Sequence, residues 1–207
     1  MPYPAGHREA TRKRITESAR KLFNLQGFDN VSVKQIMAGA GRTHGAFYEY
    51  FKDKSALYTE VLSCFLTDPN WGPRWEGVSV DLAASDAGAQ IIRAYLSRQH
   101  FDDVENSCPL VALPTDVRRS SPIVKSAFET VFSAMVALLE RSVSGPAGDA
   151  RHKKAQAIAA LCVGGLVVSR ALRDASLADD LRQASMAVAL ELMDSRPVSG
   201  VSAENAA

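Results

Sequence analysis

Two short helical segments at 33–40 and 43–50, parted by Gly41, constrain this chain more than any other feature. Ser32 with Gln35 three residues later has the form of a capping box at the start of the first segment. Gly41 stops that segment, and Thr43 can cap the second. Two helices of this length joined by a glycine-containing turn have the dimensions of a helix-turn-helix, whose second helix can enter a DNA major groove. Gly45 falls inside that second helix, where glycine costs roughly 1 kcal/mol against alanine. Such a cost is tolerated where a side chain would hold the backbone off the DNA. The alternative reading is a loose helical turn with a chance glycine.

The flanks extend the unit. After a basic lead-in from His7-Arg8 to Arg12-Lys13-Arg14, Ile15, Ala19, Leu22 and Phe23 recur at helical spacing. Gly27 can take the left-handed conformation that closes this helix, with Phe28 packing back on its last turn. Asp53 can cap a fourth helix carrying Leu57, Tyr58, Val61, Leu62 and Phe65 on one face. Four helices therefore fit into the first 66 residues. The net charge of +1 hides an asymmetry: residues 1–60 hold ten Lys/Arg against six Asp/Glu, the remainder fourteen against seventeen. A basic head on an acidic body concentrates attraction to phosphate at one end.

Residues 68–85 turn irregular, with Pro69, Gly72, Pro73 and Gly77, and read as a linker. Helices are expected beyond it at 86–101, at 108–114, at 122–143 with Pro122 in the first turn, at 150–174, and at 177–195 opened by a Ser176/Asp179 capping pair. The tail from 196 is expected to be disordered. No internal repeat and no convincing strand is legible, so the class is all-α with about nine helices. At 46% hydrophobic and 23% charged residues the composition is that of an ordinary globular protein. No run approaches the roughly 18 apolar residues needed to span a bilayer, and the first residues lack the apolar stretch of a secretory signal, so a cytoplasmic protein without a membrane partner is expected. Cys64, Cys108 and Cys162 lack CxxC spacing, so neither a disulfide framework nor a zinc site is indicated, and no cofactor fingerprint is present.

Arg14-Ile15, Ala19, Leu22-Phe23, Gly27-Phe28, Val31-Ser32-Val33, Ile36, Ala40-Gly41, Thr43, Gly45, Phe47-Tyr48, Tyr50-Phe51, Lys54 and Leu57-Tyr58 stand in an order and spacing that resembles the DNA-binding head of the TetR/AcrR family of transcription regulators. The resemblance spans about a quarter of the chain. It implies a three-helix head at 1–66, an effector-binding and dimerisation body at 67–195, a homodimer on a palindromic operator in double-stranded DNA, and release by a small-molecule effector, most often from a repressor. On matching positions, Thr43, His44, Gly45 and Tyr48 would face DNA, with Ser32, Tyr48 and Lys54 toward phosphate and His44 toward bases. Ala19, Phe23, Ile36 and Phe51 would form the core of the head. Arg42 departs from the family, which usually has an aliphatic residue there. It either lays its stem over the core and offers its guanidinium to phosphate, or the turn is altered.

In the body, Ala155, Ala159, Cys162, Gly165 and Ser169 form a small-residue stripe. By the resemblance it would join Leu181 and Val188 in a dimer interface; an intramolecular contact is the equal alternative. Trp71, Trp75, Phe101, Phe128, Phe132 and Met135 are candidates to line an apolar effector pocket, although such stripes are more often core. Arg118 and Arg119, beside Asp116, are candidates for an anionic ligand or simply an exposed pair. Cys108, before Pro109 at the expected start of a short helix, is a candidate thiol sensor of electrophiles or oxidants, weighed against a space-filling role. An enzyme using Cys108 as nucleophile and His100 as base is the weakest alternative, since nothing in the sequence brings the two together.

Overall fold

The computed structural model describes residues 5–65 and 76–195. Trp71, Trp75 and the 196–207 tail lie outside these residues. Among the described residues the chain is all-helical, with ten α-helices, one 3₁₀ helix and no strand.

The head opens with α1 (Ala5–Gln26), which ends where expected: Gly27 has φ +77 and its N–H bonds the Phe23 carbonyl at 2.8 Å. Phe28 then packs back on Phe23, with ring centroids 5.5 Å apart, and Tyr58 closes the aromatic cluster at 5.1 Å from Phe23 and 4.6 Å from Phe28. The helix α2 (Val33–Gly39) carries the full capping box. Ser32 Oγ accepts from Gln35 N, and Gln35 Oε1 accepts from Ser32 N at 2.8 Å. Its other end is a Schellman turn, with Arg42 N bonded to the Met37 carbonyl, Gly41 N to that of Ala38, and Gly41 at φ +67. The next element, 44–49, is a 3₁₀ helix (His44–Glu49) instead of an α-helix, and Thr43 makes no side-chain cap bond to it. The helix α3 (Lys54–Phe65) starts under Asp53, whose Oδ1 accepts from Ala56 N at 2.8 Å.

Beyond 76 the helices are α4 (Ala87–Tyr95), α5 (Arg98–Asp102), α6 (Pro109–Ala112), α7 (Pro114–Arg119), α8 (Pro122–Glu140), α9 (Asp149–Ala171) and α10 (Ala175–Asp194). The single helix expected at 86–101 is two. The guanidinium of Arg182 takes the Leu96 carbonyl, and Ser97 Oγ caps a new helix by accepting from His100 N at 3.1 Å. The segment expected at 108–114 ends at Ala112, because Pro114 has no N–H to continue it and starts α7 instead. The opening of α10 is capped by Asp174, which accepts from Leu177 N at 3.0 Å, and not by the Ser176/Asp179 pair; Asp179 bonds Arg182.

The chain divides into two units, one of residues 1–79 with 97–134 and one of 80–96 with 135–207. In the first, Ala19, Phe23, Ile36 and Phe51 are buried as expected, together with Ile15, Met37, Phe47, Leu57 and Tyr58. In the second, α9 packs along α10, and α10 also meets α4. Two helices, α8 and α9, are long and apolar enough to cross a membrane by length and mean hydropathy (1.5 and 1.3), which corrects the expectation that no segment approaches that threshold. In α9 the apolar side chains Ile158 and Leu166 are fully buried.

Candidate nucleic-acid interface

The head sorts its residues by exposure. Phe47 is fully buried under the 3₁₀ helix, while Thr43, His44, Gly45 and Tyr48 all face outward, Tyr48 with 64% of its surface exposed. The Tyr48 ring meets Phe47 edge-on at 5.3 Å and His44 at 6.3 Å, so a buried aromatic supports the exposed one. Nothing lies within 4 Å of where a Cβ on Gly45 would stand. The chain itself therefore gives no steric reason for glycine at that position. Ser32 is exposed at the N-terminus of α2.

Two basic residues of the head also have partners within the chain. The Arg42 guanidinium turns back to α1, where Nη2 donates to Thr11 Oγ1 at 2.9 Å and meets His7 Nε2 at 3.0 Å. The turn is not distorted to accommodate it: the Schellman bonds at Gly41 and Arg42 are intact, and the Arg42 side chain is half-buried. Lys54 Nζ donates to the Val31 carbonyl at 2.6 Å and stands over the Phe28 ring at 4.2 Å, tying the start of α3 to the entry of α2. Burial lowers its pKa, against the opposing pull of Asp29 and Asp116.

Several contacts that fix the head carry no signature in the sequence. Ser18 Oγ donates to the Ile36 carbonyl at 2.9 Å, and Gly39 lies against the same hydroxyl with no room for a Cβ. Asp116 on α7 accepts the Phe28 N–H at 2.7 Å. Asn24 Nδ2 donates to the carbonyls of Glu105 and Ser107, both at 3.0 Å, and Arg20 Nη2 donates to Asn106 Oδ1 at 2.7 Å. Each contact joins residues at least 18 positions apart, several through a backbone carbonyl that any residue offers, so no local pattern announces it.

The candidates in the body separate. Phe101, Phe128 and Phe132 are half-buried in the first unit, Phe101 with the Arg98 guanidinium 5.1 Å above its ring, whereas Met135 belongs to the second unit. Trp71 and Trp75 lie outside the described residues. A cavity of about 120 Å³ in the second unit is lined by Leu82, Ala87, Ile91, Leu138, Arg141 and Ser142 among others, and by none of the expected residues. Arg119 pairs with Asp116 at 3.1 Å and Asp29 at 3.9 Å, while Arg118 is exposed.

Cys108 is 3% exposed, and its backbone N–H donates to His100 Nε2 at 3.4 Å; the fold thus brings together two residues that sequence reasoning left apart. Ser107 Oγ sits 3.2 Å from the same nitrogen, and all three groups are buried.

The small-residue stripe lies along α9. Ala155, Ala159, Cys162, Gly165 and Ser169 are buried inside one chain, and a Cβ on Gly165 would stand 2.5 Å from Ser185 Oγ and 2.6 Å from Ser185 Cβ. At Gly165 the close approach is that of α9 and α10 within one chain. Of the expected interface residues, Leu181 is half-buried and Val188 exposed.

Residues 15–61, which hold this geometry, match the family model described as bacterial regulatory proteins, tetR family. The chain is 43% identical over 53 residues to the HTH-type transcriptional regulator AcrR of Shigella flexneri, covering 26% of this chain and 25% of that one. It is 35% identical over 52 residues to an HTH-type transcriptional repressor of Mycobacterium tuberculosis, covering 25% and 28%. The match thus spans about a quarter of the length of these curated relatives. The fold extends further. The reduced form of Escherichia coli NemR superposes with a TM-score of 0.69 at 18% identity, over 91% of this chain and 100% of that one, and a TetR-family regulator from Agrobacterium tumefaciens with 0.66 at 18%, over the same shares. Within a fold shared with solved TetR-family regulators, the chain carries at residues 15–61 the helix-turn-helix of the bacterial regulatory proteins of the tetR family.

Proposed function

We propose that this protein is a cytoplasmic transcription regulator, in the repressor mode, that binds a palindromic operator as a homodimer and is released from it by a small-molecule effector. Residues 1–66 are the DNA-binding head in this reading and 67–195 the effector-binding and dimerisation body. The observation that carries it is the outward ridge of Thr43, His44, Gly45 and Tyr48 on a helix-turn-helix whose Ile36, Met37 and Phe47 are fully buried. His44 reads base edges, while Ser32 and Tyr48 reach phosphate. Lys54 spends one of its three N–H donors on Val31 and keeps two for phosphate.

The dimer surface is assigned to the outer faces of α9 and α10, where Val167, Val168, Leu177 and Val188 are exposed. Unpartnered apolar side chains on two long helices support an interface between copies. The effector is assigned to the body without a chemical class. The cavity of about 120 Å³ is smaller than the roughly 300–1,000 Å³ of clefts for drug-sized ligands. The burial of Cys108 weighs against a thiol sensor that meets its electrophile in the closed protein.

The test is a footprint on DNA upstream of the protein's own gene, followed by titration at several salt concentrations. A protected palindrome and a log–log salt dependence of several units are expected. Lys54→Ala is expected to lower the slope by about one unit and to weaken all sequences alike. His44→Ala is expected to change which sequence is preferred. Absence of any salt-dependent binding overturns the reading.

A further inference from the structure

The last carbonyls of a helix have no partner within it, and in the 3₁₀ helix of the head these fall to two arginines of α1. Arg8 Nη2 donates to the Glu49 carbonyl at 2.9 Å, and one turn later Arg12 Nη1 donates to the Tyr50 carbonyl at 2.5 Å. Two guanidinium charges thus stand at the negative end of the exposed ridge, on the side away from His44. Arg12 is also fixed from behind. Its Nε donates to both Glu60 oxygens at 2.9 Å, its Nη2 to Glu60 Oε2, and its plane lies 4.2 Å over the Phe51 ring. Glu60 is steadied in turn by Thr16 Oγ1 at 3.0 Å. One planar fork therefore spans α1, the end of the 3₁₀ helix and α3, a geometry that an ammonium cannot reproduce.

We infer that Arg12 and Glu60 are positioning residues for operator recognition: they set the angle at which the 3₁₀ helix presents His44 and Tyr48, without either of them touching DNA. The inference rests on the DNA-binding reading above. A basic residue in a basic head is ordinarily assigned to phosphate, and the arrangement here separates the two roles through Glu60. If Arg12 acted by charge toward phosphate, removing the carboxylate that neutralises it would tighten DNA binding. If Arg12 acts by position, removing the same negative charge loosens the reading helix and weakens specific binding. The sign of the effect decides.

The experiment selects an operator with the full-length parent protein from a random DNA pool, then measures binding of parent, Glu60→Gln and Arg12→Lys to that operator and to an unrelated duplex over a salt series. Both side chains are partly exposed, 24% for Glu60 and 43% for Arg12, and the circular dichroism melt of each variant is recorded beside its binding. Glu60→Gln is expected to lose about tenfold in the ratio of operator to unrelated binding, as for loss of one base pair's readout, with the salt slope unchanged. Arg12→Lys keeps the charge and is expected to show the same loss of ratio. Glu60→Gln binding the operator as well as or better than the parent overturns the inference, as does a loss shared equally by both duplexes. If Glu60→Gln does not fold, Arg12→Lys decides alone by the same ratio. A parent that selects no sequence at all overturns the DNA-binding reading itself, an outcome distinct from a selecting parent whose variants match it.

Discussion

Gly165 on α9 and Ser185 on α10 touch so closely that a Cβ on the glycine would stand 2.5 Å from the serine hydroxyl. Gly165→Leu therefore overpacks a contact within one chain, at a cost of about 1–3 kcal/mol. The expected result is a lowered Tm that does not recover as protein concentration is raised. A variant of parental Tm that merely dissociates returns Gly165 to an interface between copies.

Val188 and Val168, 45% and 49% exposed on the outer faces of the same two helices, lead to the complementary expectation. Aspartate at either position leaves the protomer's packing intact and places charge in the proposed dimer surface, where desolvation opposes it. Sedimentation velocity is expected to show Val188→Asp as a monomer with parental helix content. A dimer that survives both substitutions moves the interface elsewhere.

Local chemistry was legible in the sequence, and distant partners were not. The Ser32/Gln35 box, the turns at Gly27 and Gly41 and the Asp53 cap each work within five residues, and each stands where the sequence puts it. The break of 86–101 turns on Arg182, whose guanidinium takes the Leu96 carbonyl from 86 positions away. The stripe of α9 illustrates the same limit. Ala155 to Ser169 announce that a helix comes close, and small side chains alone carry no information on whether that helix belongs to the same chain. In the head, the exposed ridge was readable from the family resemblance, whereas the Arg12–Glu60 fork and the Asp116 contact with Phe28 join residues 48 and 88 apart with no periodicity between them.

The thiols make a pH expectation. Burial pushes the Cys162 thiol up to about 12 from its ordinary 9.0, so the folded chain keeps a proton that the unfolded chain releases above 9.0. The stability associated with this proton is fully present below pH 9.0 and is lost as pH rises from 9.0 to about 12. Urea midpoints of the parent are expected to fall faster across that interval than those of Cys162→Ala. Native protein mixed with a thiol-reactive disulfide at pH 8 is expected to label the exposed Cys64 first and leave Cys162 unlabelled. Rapid labelling of Cys162 removes both expectations.

Gly45 offers the cleanest separation of folding from recognition. Its φ lies outside the left-handed region, and no protein atom lies within 4 Å of where a methyl at that position would stand, so alanine meets neither strain nor a neighbour within the chain. Glycine in a helical segment costs roughly 0.5–1 kcal/mol against alanine, so Gly45→Ala is expected to hold or raise the Tm. Gly41, one turn earlier at φ +67, differs although its Cβ would also meet open space, because the closing turn of α2 requires the left-handed backbone. Gly41→Ala is expected to lower the Tm. If the 3₁₀ helix approaches the groove along Gly45, a methyl there meets DNA alone, and operator affinity falls while stability does not. Titration of Gly45→Ala against the selected operator, beside its thermal melt, reads both quantities. Parental affinity with a raised Tm would leave Gly45 without a role in recognition and would shift the contact surface along the ridge toward Tyr48.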